Sequence, residues 1–179
     1  MSPATGTAKR SAATEDVNRV SYTWFDSPIG PLLLAGSVAG LKLVSFAEGS
    51  RARAVDPDWR EEASSFINAV EQLRSYFAGK RTAFDLPLVV EGTEFQRKVW
   101  TALRTIPYGE TISYKELAER VGSPKAVRAV GSANGANPIP IIIPCHRVIG
   151  NDGSLTGFGG GLPLKRKLLR LESRQLTFL

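Results

Sequence analysis

The alternation of apolar and polar positions predicts a small sheet near the start of the chain. Three apolar stretches of strand-like composition are separated by turn-forming residues. They lie at residues 20–25, 32–35 and 41–46, with turns from Asp26 to Gly30 and around Ala39-Gly40. Residues 1–18 are rich in Ser, Ala, Thr and Gly without apolar periodicity, which predicts a disordered tail. We therefore expect an antiparallel sheet that begins near residue 19.

A helix is expected to follow the sheet. Between residues 61 and 78 apolar side chains recur at helical spacing, and Gly79 ends the pattern. Residues 86–90 contain Pro87 and predict a linker or an edge strand, so we place a domain boundary near residue 91. The sequence thus predicts a mixed α/β (α+β) fold. Its two parts are a small N-terminal domain of antiparallel sheet plus helix (19–90) and a helical C-terminal domain (91–179).

The second half of the chain carries distinct helix boundaries. Thr93 and Gln96 have capping-box spacing at the start of an apolar helix face. Ser113 and Glu116 repeat this spacing before a short helix that ends at Gly122. Further along, a flexible loop and a last helix are predicted at 153–161 and from Pro163 onwards.

A second short helix is predicted directly after Gly122, with Ser123 at its N-cap and Pro124 at its first position. Two short helices joined by a tight glycine-containing turn are typical of a helix-turn-helix. Beyond Lys125 this helix has small side chains except for Arg128, so its backbone can lie close to a partner. The partner is either a DNA duplex or a neighbouring helix.

The segment before the only cysteine is apolar. Residues 139–143 are interrupted by Pro140 and closed by Pro144, and they predict a buried extended segment that ends at Cys145. Adjacent side chains of an extended segment point to opposite faces. We therefore expect His146 to reach the thiol only through a bridging water.

Composition places the chain among ordinary globular proteins. It has 179 residues, of which 42% are hydrophobic and 22% charged, enough to bury a core. The single cysteine excludes an internal disulfide. With no signal peptide and no apolar run of about 18 residues, we expect a reduced, cytoplasmic location and no membrane segment. One Cys and one His also argue against a structural zinc site.

The net charge of +6 lies entirely in the second half of the chain. Residues 1–90 contain 10 Lys/Arg and 10 Asp/Glu, whereas residues 91–179 contain 13 Lys/Arg and 7 Asp/Glu. A basic half indicates a polyanionic partner, although a solvated basic surface would give the same balance.

The only cysteine and the only histidine are neighbours, Cys145 and His146. A strong nucleophile thus lies beside the one side chain that titrates near neutral pH. The alternative is an inert cysteine, because free cysteine is commonly buried. A thiol of ordinary pKa is only about 3% thiolate at pH 7, so a nucleophilic role needs a base, and we expect Arg147 to lower the pKa of the thiol further.

The residues around Cys145 resemble a known active-site motif. Ile143-Pro144-Cys145-His146-Arg147-Val148-Ile149 is similar to the motif of the O6-alkylguanine-DNA alkyltransferases (methylated-DNA–protein-cysteine methyltransferases). The resemblance is nearly continuous from about residue 93 to 172 and weaker over 20–90. It also includes Phe95-Gln96-Arg97-Lys98-Val99-Trp100, Ile106-Pro107-Tyr108-Gly109, Ser113-Tyr114, Arg128-Ala129-Val130-Gly131, Asn134 through Pro138, Gly159-Gly160-Gly161-Leu162 and Lys165.

The resemblance implies direct reversal of DNA damage. Members of this family transfer an alkyl group irreversibly from O6 of guanine to their own cysteine, here Cys145, in a single turnover; O4-alkylthymine is a second candidate substrate. By the resemblance, His146 activates the thiol through water and Glu172 orients His146. Asn137 ties the recognition helix to the active-site turn, and Tyr114 rotates the target phosphate and contacts the flipped base.

The resemblance also implies a DNA-binding face and an alkyl pocket. Arg128 fills the place that the flipped base leaves, and the small residues of its helix suit docking in the minor groove of double-stranded DNA. The other candidate DNA contacts are Tyr114, Lys115, Ser123 and Asn151, and the candidate pocket residues are Pro140, Val148, Phe158 and Gly159. We expect no cofactor and no metal, and a monomer in solution, with cooperative binding on DNA left open.

The chain departs from some relatives of this family. It lacks the N-terminal zinc ligands that certain members have. Phe158 and Gly159 stand where some members have Tyr and Ser, so the preference among methyl and bulkier adducts stays open. Two other functions remain alternatives. A helix-turn-helix regulator leaves the Cys-His pair unexplained, and a cysteine hydrolase would need its histidine far away in sequence.

Overall fold

The computed structural model describes residues 19–176, and its first part is a four-stranded sheet. The strands lie in the order β3-β2-β1-β4, with the bounds β1 Ser21–Ser27, β2 Gly30–Ser37, β3 Gly40–Phe46 and β4 Arg60–Glu61. The antiparallel pairing of β1, β2 and β3 confirms the predicted sheet. Gly30 and Gly40 open β2 and β3 at φ +114° and +144°, where other residues are rarely found. The predicted tail at 1–18 lies outside the described residues.

The helix after the sheet is shorter than the sequence predicts. A helix from residue 61 is wrong: the structure has β4, a 3₁₀ helix at Ala63–Phe66 and helix α1 at Ile67–Phe77. β4 pairs in parallel with β1, and the Glu62 amide donates to the Tyr22 carbonyl at 2.9 Å. The free edge of β1 offers backbone partners that override the local helical pattern.

The segment between the two halves runs along β3. The Leu41 amide donates to the Pro87 carbonyl and the Val89 amide donates to the Leu41 carbonyl, both at 2.9 Å. Pro87 accepts here and needs no amide hydrogen, which suits a proline at a sheet edge. Of the two predicted alternatives, this segment is closer to an edge strand, although it makes only an isolated bridge.

The C-terminal half is helical. Its helices are α2 (Glu94–Leu103), α3 (Tyr114–Arg120), α4 (Val127–Gly135) and α5 (Leu162–Leu176). Both predicted capping boxes are confirmed, since Thr93 with Gln96 and Ser113 with Glu116 exchange two hydrogen bonds each. No helix within residues 19–176 is long and apolar enough to cross a membrane.

The second short helix begins later than predicted. Ser123 and Pro124 lie in a turn, closed by the Ala126 amide donating to the Ser123 carbonyl at 2.8 Å, and α4 begins at Val127 without a side-chain cap. A fixed proline φ suits the second position of a turn as well as a helix start, so the same signal serves either structure. The two short helices and the intervening glycine turn, with Gly122 at φ +69°, are present as expected.

The segment before Cys145 is not extended. A tight turn bridges Pro140 and Ile143, with Ile141 at φ +75°, and Cys145–Arg147 form a second 3₁₀ helix. A β-branched residue at positive φ is strained and persists only where its surroundings hold it, here by burial of the isoleucine side chains. Successive side chains of a 3₁₀ helix do not alternate between opposite faces. The expectation that His146 lies opposite the thiol on an extended segment is therefore wrong.

Two short strands were not expected from the sequence. β5 (Ile112–Ser113) pairs in parallel with β6 (Val148–Ile149). β5 leads into α3, and β6 follows the second 3₁₀ helix. The pairing fixes the start of the helix-turn-helix beside the Cys-His pair.

Candidate active site

The thiol of Cys145 is buried at the start of the second 3₁₀ helix. Burial raises its pKa to about 11, although the Asn137 amide and the Lys165 ammonium act in the opposite direction. With that pKa, only about one molecule in ten thousand carries a thiolate at pH 7. The resting thiol is protonated, and reaction requires a group that takes its proton.

His146 is fully buried, and its Nε2 lies 2.8 Å from Glu172 Oε1. An ionised carboxylate only accepts hydrogen bonds, so Nε2 carries the proton and Nδ1 has the free electron pair. No group within residues 19–176 hydrogen-bonds to Nδ1. Burial lowers the pKa of His146 despite the opposing effect of Glu172, so the ring is neutral at pH 7 and its Nδ1 can act as a base.

Glu172, on α5, accepts hydrogen bonds from five donors. Oε1 accepts from His146 Nε2, Arg147 Nη2 and the Tyr76 hydroxyl at 2.8, 3.0 and 2.8 Å. Oε2 accepts from Arg147 Nε at 2.9 Å and from the Gly109 amide at 3.1 Å. Burial acts to raise the pKa of Glu172, but its hydrogen bonds and charge interactions with His146 and Arg147 lower it to about 2. This carboxylate stays ionised and fixes the orientation of the imidazole.

Arg147 serves Glu172 rather than the thiol. Its Nη1 also donates to the Ile106 carbonyl at 2.6 Å, and its guanidinium lies 5.6 Å from the centre of the Tyr108 ring. The expectation that Arg147 lowers the pKa of the thiol is therefore wrong. A planar guanidinium matches a carboxylate with two parallel hydrogen bonds, which makes the buried pair with Glu172 the favoured use of this side chain.

Lys165 is the cation that lowers the pKa of the thiol, and sequence reasoning gave it no role. Its buried Nζ donates to the carbonyls of Val148 and Thr156 at 2.6 and 2.7 Å, and burial lowers its pKa to about 8. The sequence does contain a signal, because Lys165, Leu168 and Glu172 recur at helical spacing on the buried face of α5. Charged residues on an apolar helix face require polar partners inside the fold.

Asn137 follows α4 and bridges the turn that leads to the thiol. Its Nδ2 donates to the Ile143 carbonyl at 2.8 Å, and its Oδ1 accepts from the Ile139 amide at 3.0 Å. Asn134, at the end of α4, approaches the Cys145 carbonyl with its Nδ2 at 3.4 Å. The structure thus places Asn137 between the small-residue helix and the active-site turn.

A cavity of about 50 Å³ lies beside Cys145. Pro140, Phe158 and Gly159 line it, whereas Val148 does not, since its side chain is buried in the core at β6. The volume is well below the roughly 300 Å³ of the smallest ligand pockets, so the pocket is too small to hold a base in this form. Across residues 19–176, no group of three His, Cys, Asp or Glu side chains could hold a metal ion.

Strand β3 and the segment that follows it form one wall of this cavity, a contact that no pattern in the sequence predicts. The wall consists of Leu43, Val44, Ser45, Phe46, Arg51 and Arg53. The Phe46 ring centre lies 5.5 Å from that of Phe158, and the Arg51 amide donates to the Gly159 carbonyl at 3.2 Å. The Val44 amide donates to the Pro138 carbonyl at 2.9 Å. Strand β3 is thereby joined directly to the active-site turn.

The candidate DNA contacts lie mostly at the surface. Three of them are exposed, on α3, on α4 and in the turn after β6: Lys115, Arg128 and Asn151. Ser123 is half-buried in the turn between the short helices. Tyr114 is half-buried at the first position of α3; its hydroxyl donates to the Thr156 carbonyl at 3.3 Å, and the Lys165 Nζ lies 5.8 Å from its ring centre. Tyr114 therefore joins the short helices to the reacting centre.

Two family models match the chain over almost all of its described part. The first, 6-O-methylguanine DNA methyltransferase, ribonuclease-like domain, matches residues 20–90. The second, 6-O-methylguanine DNA methyltransferase, DNA binding domain, matches residues 94–174. Each part of the chain thus matches one of the two domains of a single kind of protein.

Curated relatives and solved structures agree with these matches. A methylated-DNA–protein-cysteine methyltransferase of Methanosarcina barkeri is 54% identical over 155 residues, covering 87% of this chain and 98% of the relative. One from Mycolicibacterium paratuberculosis is 55% identical over 159 residues, covering 87% and 93%. The crystal structure of Mycobacterium tuberculosis OGT in complex with DNA superposes with a TM-score of 0.82 at 52% identity, covering 87% of this chain and 94% of that one. The chain therefore belongs to the 6-O-methylguanine DNA methyltransferases, the family of methylated-DNA–protein-cysteine methyltransferases.

Proposed function

We propose that this protein repairs DNA by direct reversal, moving the alkyl group from O6 of guanine to the Cys145 sulfur. The observation that carries the proposal is the buried thiol whose neighbour in the chain, His146, is held by an ionised carboxylate. Family membership, with relatives named for transfer from methylated DNA to a protein cysteine, supports the same reaction. We extend it to O4-alkylthymine as a second substrate.

The proposed chemistry balances without a cofactor. The Cys145 proton passes to His146 Nδ1 through a bridging water, and the sulfur attacks the alkyl carbon. A sulfur–carbon bond forms and the carbon–O6 bond breaks, and the released guanine anion takes up one proton. Glu172 stabilises the imidazolium that forms, because its carboxylate is ionised at every pH well above 2.

The product explains why one molecule acts once. The acceptor becomes a thioether, and the chain has no second cysteine that could take the alkyl group away. We infer a stoichiometric reaction that consumes the protein. A free thiol requires a reducing environment, which supports a cytoplasmic location.

For the DNA complex we propose minor-groove docking of α4. Its exposed positions include Ala129 and Ser132, whose small size lets the backbone approach a duplex, and Arg128, which is long enough to enter the stack. We propose further contacts from Tyr114 and Lys115 and, in the neighbouring turns, from Ser123 and Asn151. The basic charge of residues 91–179 supports binding of a polyanion by a domain that begins near residue 91. We propose that the protein binds DNA as a monomer. Measuring the number of protein molecules bound per duplex, for duplexes of increasing length, tests for cooperativity.

The flipped base needs more room than the cavity beside Cys145 offers. The loop residues Phe158 and Gly159 also line this cavity, and they contact Phe46 and Arg51 through one ring pair and one backbone hydrogen bond. We propose that this loop moves away from the cavity when the base enters, since its residues belong to neither a helix nor a strand.

Intact mass spectrometry tests the proposed function. The purified protein is mixed with a duplex that contains one O6-methylguanine, and its mass should rise once by about 14 Da, on the peptide that contains Cys145. An unmodified duplex is the control. DNA binding without a mass change would favour the helix-turn-helix regulator, and repeated turnover without a lasting adduct would favour the hydrolase.

A further inference from the structure

One side chain of the N-terminal domain reaches the carboxylate that holds the histidine. Tyr76, on α1, is fully buried, and its hydroxyl donates to Glu172 Oε1 at 2.8 Å. His146 Nε2 lies 2.8 Å from the same oxygen. The phenol and the imidazole therefore share one acceptor, although their elements belong to different halves of the chain.

We propose that Tyr76 is a positioning residue for alkyl transfer: its hydroxyl fixes the Glu172 carboxylate and shares Oε1 with His146, so that the N-terminal domain tunes the base that activates Cys145. The inference rests on the proposed function, since it assigns Tyr76 a part in the same reaction.

Packing alone does not account for a tyrosine at this position. The Tyr76 ring lies among aromatic rings, with centres at 5.3 Å from Phe77, 5.4 Å from Phe84 and 6.0 Å from Tyr108, and a phenylalanine ring would fill the same space. A hydroxyl buried this deeply is costly unless it is hydrogen-bonded, and here it donates to an ionised carboxylate. Burial and Glu172 raise the pKa of Tyr76 far above its ordinary value, so the group remains a donor at every working pH.

The shared oxygen links this donor to the basicity of the histidine. A carboxylate oxygen that accepts an extra hydrogen bond attracts the Nε2 proton less strongly. Loss of the Tyr76 hydroxyl should therefore stabilise the imidazolium and raise the pKa of His146, which burial now lowers. The other charged groups that act on the ring or on Glu172 are Arg147 and Lys165, and neither they nor the Gly109 amide on Oε2 is altered by changing Tyr76.

Two other titratable groups belong to the same cluster. The Tyr108 ring packs edge-on against Tyr76, and burial raises the pKa of its phenol to about 12, so it does not titrate near neutral pH. The Cys145 thiol is the group on which the base acts. A shift of the acid limb of the pH profile can then be assigned to His146.

The experiment uses Tyr76→Phe in the full chain, with Tyr22→Phe on β1 as the matched loss of a hydroxyl outside the Glu172 contacts. The chain has a single histidine, so its imidazole resonances follow the pKa of His146 without assignment. In Tyr76→Phe this pKa should rise by about half a unit, and the acid limb of the pH–rate profile for transfer from free O6-methylguanine should move up with it, which slows transfer by up to about threefold at a pH on that limb. DNA affinity should stay within about twofold of wild type.

A second variant should shift the pKa of His146 in the opposite direction. Difluorotyrosine inserted at position 76 keeps the ring and makes a stronger donor, so the pKa of His146 should fall. It also replaces Tyr76→Phe as the test if that variant does not fold. The proposal is overturned if the pKa and the pH profile match wild type, or if both variants shift them in the same direction. Failure of the proposed function looks different, because wild-type protein would then take up no alkyl group at all.

Discussion

Two arginines show how differently the two working regions of the C-terminal half are built. Arg147 is buried, gives two hydrogen bonds to Glu172 and one to the Ile106 carbonyl, and stacks on Tyr108. Arg128 is exposed on a helix of small residues. The reacting centre is organised inside the core before any substrate arrives. The helix proposed to face DNA instead keeps its long cation in solvent, where a duplex can meet it.

This difference separates the effects of mutations. A change in the buried cluster should affect reaction with the free base and with duplex DNA alike, and should also cost stability. A change on the exposed helix should affect the duplex reaction alone. Four experiments probe that separation, in decreasing order of the change that each should produce.

Cys145→Ser should abolish transfer while leaving DNA binding intact. A neutral hydroxyl is a far poorer nucleophile at pH 7, and neither α4 nor the surface charge is altered. Intact mass and a fluorescence binding titration with the same duplex measure the two properties. Residual transfer at a measurable fraction of the wild-type rate would rule out Cys145 as the acceptor.

Glu172→Gln should slow transfer at least about 100-fold on both substrates, because His146 loses its ionised partner. It should also lower the free energy of unfolding by roughly 3–5 kcal/mol, since Arg147 is left buried without its counterion. Urea unfolding and single-turnover rates measure these effects. Glu71→Gln, an exposed carboxylate on α1, is the matched control and should change neither. A slower rate on duplex DNA alone, with the free-base rate unchanged, would contradict a reacting centre that is organised before substrate binds.

The stability from Glu172 should depend on pH. Its pKa is about 2 in the folded protein, below its ordinary value of 4.5, so its contribution is complete above pH 4.5 and is lost as pH falls toward 2. The shift corresponds to about 3 kcal/mol. Urea unfolding of wild type and Glu172→Gln at pH 6 and pH 3 should show their difference shrinking at pH 3. A constant difference would mean that the carboxylate is not the stabilising group.

Arg128→Ala should slow repair of duplex DNA roughly 30-fold, since about 2 kcal/mol of support for the opened stack is lost. Reaction with free O6-methylguanine should stay within about twofold, since that substrate has no stack to open. Arg60→Ala on β4 removes the same charge from the N-terminal sheet and serves as the control. Equal slowing on both substrates would give Arg128 a structural role and break the contrast with Arg147.

Sequence patterns that span only a few residues predicted much of the fold. The two capping boxes join residues three positions apart, so Thr93 with Gln96 and Ser113 with Glu116 are readable from the chain alone. The neighbouring Cys145 and His146 likewise indicate a nucleophile and its base from their adjacency in the chain. A local pattern can also be compatible with two structures. Pro124 lies in a turn, although the sequence predicted a helix start there.

What the sequence determined by itself was the three-stranded antiparallel sheet and the main helices of the C-terminal half, and its Cys-His pair led to the proposed reacting groups. The tertiary structure decided which groups surround that pair. Arg147 donates to Glu172, and Lys165 lowers the pKa of the Cys145 thiol, because the packing of α5 places Glu172 and Lys165 beside the second 3₁₀ helix. Tyr76 meets Glu172 across 96 positions of the chain. Neither spacing nor periodicity encodes such a contact, since it depends on how separate elements bury their apolar faces against each other and where their polar groups then find partners.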